Sequence, residues 1–220
     1  MAFDIHQLDN IDFDNSKTEK ILERYQARLF KKFSKSTEGE KLLQTNPEAG
    51  HWAIQLIYFG FSYIGITLPN MDITDIEEII TELFPRKITL SSPDEANEII
   101  PELTAFWVYL KREFNLKNSD RILKYLDDIS SEYYDIMNDP SRFGMAKSFM
   151  TAGKSAGFDM TNESDLQKFA ALYNASLSAP SPTPLSGSAH PSSNFGVNKN
   201  KKKKRNKIAK SSRKKNRKKR

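Results

Sequence analysis

The chain of 220 residues has no cysteine, which removes disulfides, thiolate zinc sites and thiol nucleophiles as a group. Histidine is almost as scarce. His6, His51 and His190 stand far apart, and neither H-x-x-x-H nor H-E-x-x-H occurs, so no helical zinc-hydrolase motif is spelled out. Long apolar runs are missing too. The most apolar stretch, WAIQLIYFGFSYIGITL, spans the 17 residues from Trp52 to Leu68 and includes Gln55, Ser62, Thr67 and two glycines. A membrane span wants roughly 20 apolar residues, so this stretch is expected as a buried core helix and no transmembrane segment is expected. The opening MAFDIHQLDNIDFD carries four Asp and no Lys or Arg, the reverse of the basic start of an export signal.

Acid is what the other end lacks. The last acidic residue is Asp165, whereas Lys199, Lys201, Lys202, Lys203, Lys204, Arg205, Lys207, Lys210, Arg213, Lys214, Lys215, Arg217, Lys218, Lys219 and Arg220 supply 15 of the 34 basic residues. Residues 1–198 therefore hold 19 basic against 28 acidic side chains, a net of −9 beneath an overall +6. The two parts need separate accounts. Between them, residues 178–198 (SAPSPTPLSGSAHPSSNFGVN) carry no charge and are rich in Ser, Pro, Ala and Gly. Such a composition cannot bury enough apolar surface to fold, and a disordered linker is expected there.

Residues 16–177 show apolar spacings of three and four, the period of a half-buried helix. Leu22, Tyr25, Leu29 and Phe33 follow a capping box of Ser16 and Glu19. Asn46-Pro47 is expected to open the apolar helix that contains Trp52. Thr74 with Glu77 and Ser92 with Glu95 mark further starts. The latter helix carries Ile99, Leu103, Phe106, Trp107 and Leu110 past Pro101. Ile122, Leu126, Ile129, Tyr133 and Ile136 read as one helix. Asp139-Pro140 opens a helix ending near Gly157, and Thr161 opens the last. Only Lys87–Leu90 has strand character, and it has nothing to pair with. The fold expected is an all-α domain of about seven or eight helices over 16–177. A flexible acidic segment over 1–15 is expected before it, and the linker and a disordered basic tail over 199–220 after it.

Three patterns on this body invite a chemical interpretation. SFMTAGKS, Ser148–Ser155, approaches a phosphate-binding loop but has Ser148 where the first glycine belongs, and no strand precedes it. Gly144, Ser148, Ala152 and Ala156 instead recur every four residues, a small-residue face for close helix packing. Asp128, Glu132 and Asp135 share one side of their helix, an acidic ridge more consistent with a solvated face than with a cation site. Lys17, Lys20, Arg24, Arg28, Lys31 and Lys35 advance by three or four and occupy a narrow sector of the first helix. The last pattern fits an ordinary solvated face and also a ridge for phosphate contacts.

The tail's like charges repel one another. Each one that neutralises a phosphate releases a condensed counterion, so about eight engaged charges give a log–log salt slope near −6 on single strands. No aromatic residue lies in the tail, so it cannot stack bases. It supplies affinity and little discrimination.

The segments FWVYLKREFNL (Phe106–Leu116) and MNDPSRFGMAKSFMTAGKSAGFDMTN (Met137–Asn162) resemble parts of uncharacterised bacterial all-helical proteins, over about residues 101–177, with DPSRFGMAKSF the most specific piece. The resemblance implies a bacterial cytoplasm and carries no activity, metal or catalytic residue. The sequence therefore points to a non-enzymatic protein without cofactor. It is expected to bind RNA or DNA phosphate backbones through the tail and the Lys17–Lys35 ridge, in the cytoplasm on the nucleoid or ribosome; in a eukaryotic cell the tail would read as a nuclear signal. The alternative is an adaptor whose helical body binds a protein, an acidic partner for the tail included, with the tail as address or solubility element.

Overall fold

The first helix follows from its spacing. In the computed structural model, which describes residues 3–11 and 18–178, α1 runs Thr18–Phe33 and buries Leu22, Tyr25, Gln26, Leu29 and Phe33 along one side. The chain then turns tightly into α2, Thr37–Thr45, capped by the Ser36 hydroxyl, which accepts from the Gly39 amide at 3.2 Å. Next come α3 (His51–Phe59), α4 (Ile73–Glu77), α5 (Phe84–Lys87), α6 (Ala96–Phe114), α7 (Ser119–Ile129), α8 (Tyr133–Asn138), α9 (Met145–Ser155) and α10 (Glu163–Ser178), with no strand among the described residues. The protein is all-α, in more and shorter helices than the seven or eight expected.

The chain divides into two units, Met1–Thr151 and Ala152–Arg220. In the first, α6 is the axis and packs on α2, α3, α7 and α8. It buries Ile99, Ile100, Leu103, Phe106, Trp107, Tyr109 and Leu110, apolar on more than one side as a central helix must be. Each such side chain taken from water contributes about 1.5–3 kcal/mol. Pro101 sits in the second turn of α6, exposed, without ending it. In the second unit, Phe169 stacks between Phe158 at 5.4 Å and Tyr173 at 5.9 Å, and Gly153 lies against Met160, whose sulfur would sit 2.1 Å from an added Cβ.

Several expectations change. The flexible segment expected over 1–15 does not describe residues 3–11. Phe3, Ile5 and Leu8 are buried in the core, the Tyr25 hydroxyl donates to the Ile5 carbonyl at 3.0 Å, and Asp9 accepts from Thr67 and Asn70. The apolar residues between the aspartates are what hold it down.

Asn46 closes α2 rather than opening α3, which starts five residues later behind Gly50, at φ 126°. The Trp52–Leu68 run is a buried helix only as far as Phe59. There it widens into a π-turn, Gly60–Ile64, stopped by left-handed Gly65 (φ 79°). Asp72, not Thr74, caps α4 through a reciprocal box with Asp75.

The stripe from Ile122 to Ile136 is two helices, α7 and α8, broken by a turn at 130–132. Tyr133 is buried with its hydroxyl on the Ile80 carbonyl at 2.9 Å, while Tyr134 is exposed. Lys87–Leu90 is a helix end and coil. On α9 the small-residue face packs only at its start. Gly144 meets Arg86, its amide donating to the Arg86 carbonyl at 3.1 Å, whereas Ala152 and Ala156 are exposed.

Candidate nucleic-acid interface

Because α1 commits one side to the core, its opposite side is free to carry charge. Lys20, Arg24, Arg28, Lys31 and Lys35 are all exposed on it or just beyond its end, and none has a carboxylate within ion-pair distance among the described residues. Glu19 and Glu23, on the same helix, lie off this ridge. Lys17 and the tail cations from Lys199 to Arg220 fall outside the described residues.

The C-terminal half of the ridge borders a cleft of about 610 Å³. It is lined by Arg28, Lys31, Lys32, Lys35 and Ser36 from α1 and the turn after it, by Tyr109, Arg112 and Glu113 from α6, and by Phe3. The spacing argument reached Arg28, Lys31 and Lys35. It missed Lys32, which belongs to the same helix turn, and it had no means of finding Arg112 or the two rings.

Arg112 is fixed in place. Its Nε and Nη2 donate to the two Glu38 carboxylate oxygens at 2.7 and 3.1 Å, a bidentate geometry that a guanidinium is built for. Those bonds hold the Glu38 carboxyl down at about 2. The guanidinium carbons of Arg28 and Arg112 lie over the rings of Phe3 and Tyr109, 5.6 and 5.8 Å from their centroids. Tyr109 is buried, its hydroxyl pushed up to about 12 chiefly by that burial, and the hydroxyl has no hydrogen-bond partner.

The other sequence patterns assemble less. Asp128, Glu132 and Asp135 are exposed but fall on two helices and the turn between them. No group of three His, Cys, Asp or Glu side chains converges among the described residues. SFMTAGKS lies inside α9, so its amides are engaged in a helix rather than wrapped for phosphate. Residues 153–157 also spell G-x-S-x-G. A nucleophile elbow needs a strand before its serine, and Ser155 is instead the last residue of α9. His51 is exposed, its ring edge-on to buried Trp52 at 4.8 Å. Among the described residues no helix is long and apolar enough to cross a membrane.

No protein-family model matches the chain, and no curated protein and no solved structure matches it.

Proposed function

We propose that this protein binds nucleic acid without catalysing a reaction on it, as a ribosome- or nucleoid-associated protein of the cytoplasm. Lys199–Arg220 supply mobile-ion-releasing phosphate contacts and α1 a second, ordered set. One observation carries the reading beyond composition: the α1 cations stand exposed on one side with no carboxylate among the described residues within ion-pair distance. A solvated helix face of a body that is net acidic ordinarily interleaves its signs, and a single-sign strip raises the local concentration of anions.

The test is retention of the intact chain on immobilised RNA and DNA at low and high salt, beside a version lacking residues 199–220. Strong retention that falls with salt and weakens without the tail supports the reading. No retention in dilute buffer rejects it.

The adaptor alternative draws on a different feature. A groove of about 450 Å³ between α2, α6 and α7 is lined by Leu42, Ile100, Pro101, Ala105 and Val108, with Glu38, Lys41 and Asp127 among its polar residues. A chain indifferent to polyanions that captured one defined protein, and lost it when Val108 became Glu, would establish that reading instead.

A further inference from the structure

A cleft that only collected phosphates would gain nothing from rings behind its arginines. Phe3 and Tyr109 are 8% and 2% exposed, so they offer no open face for a base. They serve as a floor on which Arg28 and Arg112 lie. Both arginines are exposed, and unpaired bases stack on guanidinium planes as they do on aromatic rings. Arg112 is also held by Glu38 through Nε and Nη2 and by Glu113 at Nη1, 3.5 Å away, so little side-chain freedom is lost when a ligand arrives. Lys31, Lys32 and Lys35 line the same cleft with no partner acid among the described residues. The cleft's 610 Å³ falls within the roughly 300–1,000 Å³ of small-molecule sites, room for a nucleotide unit.

We infer that this cleft takes one unpaired nucleotide of a single-stranded nucleic acid, the base against Arg28 and Arg112 and the adjoining phosphates on Lys31, Lys32 and Lys35. The inference rests on the phosphate-binding reading above and narrows its ligand. A duplex keeps its base faces stacked inside and offers this surface phosphates alone, so it forgoes the stacking contribution. Glu113, the one acid lining the cleft, lies 3.5 Å from Arg112 Nη1 and pairs with it, so the lysines are left as the phosphate contacts. The unpartnered Tyr109 hydroxyl lies on the floor beneath.

The experiment compares the full chain's affinity for a short oligoadenylate single strand, a duplex of the same length, and inorganic polyphosphate of matched charge. Binding is measured by competition at fixed salt. One stacked base contributes about 1–3 kcal/mol, on the order of ten-fold, so the single strand is expected to exceed polyphosphate by about that factor. Arg28→Lys keeps the charge and removes the plane. It should pull the ratio toward one by weakening the single strand more than polyphosphate, and Arg28→Lys with Arg112→Lys should pull it further. Because Arg112 also ties α6 to α2, the single Arg28→Lys variant decides the matter if the double one unfolds. Equal affinity for single strand and polyphosphate, or a ratio indifferent to Arg28→Lys, overturns the inference and leaves the phosphate-binding reading standing. Failure to bind any of the three polyanions overturns both.

Discussion

Lysine is among the residues least often buried, and it is almost never buried without an acid beside it. Lys147 breaks that habit. It is 5% exposed, its ammonium donates to the Pro85 carbonyl at 3.0 Å and the Met137 carbonyl at 3.5 Å, and the Phe143 ring lies 3.9 Å from its nitrogen. Among the described residues no carboxylate joins them within ion-pair distance. Two carbonyl dipoles and a ring replace only part of the lost hydration, so burial brings the amine down from 10.5 to about 8. The sign of the consequence is definite. Below about pH 8 both folded and unfolded chains hold the proton. Between about 8 and 10.5 the unfolded chain binds more protons than the folded one, so stability rises with pH through that window. Lys147→Met keeps the apolar stem and removes the titration. The stability of the natural chain relative to this variant should therefore rise by on the order of 1–3 kcal/mol from pH 7.5 to 10 in urea unfolding. A difference that stays flat would show that the amine keeps its charge at no cost. Nothing in MAKSF marks this lysine out, since its carbonyl partners come from 10 and 62 residues away.

Helix ends show the same limit on local reading. The all-α class was legible because apolar spacing is local. Leu22, Tyr25, Leu29 and Phe33 point one way whatever lies opposite, and the same regularity placed the cations of α1 on the other side. The breaks were not legible, because tertiary partners decide them. Asn46-Pro47 has every feature of a helix start, yet α3 begins at His51 because Glu102, on α6, reaches across. Its carboxylate accepts from the Gly50 amide at 2.8 Å and the Ala53 amide at 2.7 Å, doing at 49 and 52 residues' distance what an N-cap side chain does locally. Gly50 fits there at φ 126° with the Phe30 ring 2.3 Å from where a Cβ would stand. Burial drives the Glu102 carboxyl upward, partly opposed by those amides. Glu102→Leu keeps the bulk and leaves both amides buried without an acceptor. At about 1–3 kcal/mol for each orphaned group, a loss of roughly 2–5 kcal/mol is expected in denaturant melts, with the amide-exchange protection of Ala53 falling before that of α6. Unchanged protection at Ala53 would mean that another acceptor serves it. The cleft was half legible for the same reason. Its lysines share one helix with the ridge, whereas Arg112, Tyr109 and Phe3 meet them only through the packing of α6 and the N-terminal segment on α1.

Across the whole molecule, charge is sorted by place. Residues 1–198 total −9 while 199–220 total +15, so an approaching polyanion meets attraction at the tail and at α1 and repulsion elsewhere. At physiological ionic strength charges beyond about 8 Å are largely screened, which lets α1 act as a local patch despite the body's net sign. On the binding reading proposed above, the two sources add in the salt slope. About eight tail charges and the five exposed ridge cations, Lys20, Arg24, Arg28, Lys31 and Lys35, each at roughly −0.7 on a single strand, give about −9 for the intact chain and about −3 to −4 once residues 199–220 are removed. Lys31→Glu with Lys35→Glu in the shortened chain withdraws two contacts and adds local repulsion, and should flatten the slope by at least about 1.4 more. Fluorescence anisotropy of a labelled oligonucleotide across a salt series reads all three values. A slope of zero after removing the tail would assign every phosphate contact to Lys199–Arg220. An undiminished slope would place them all on the body. Only the intermediate value, further reduced by reversing charge at Lys31 and Lys35, is what an ordered cationic face beside a like-charged tail must produce.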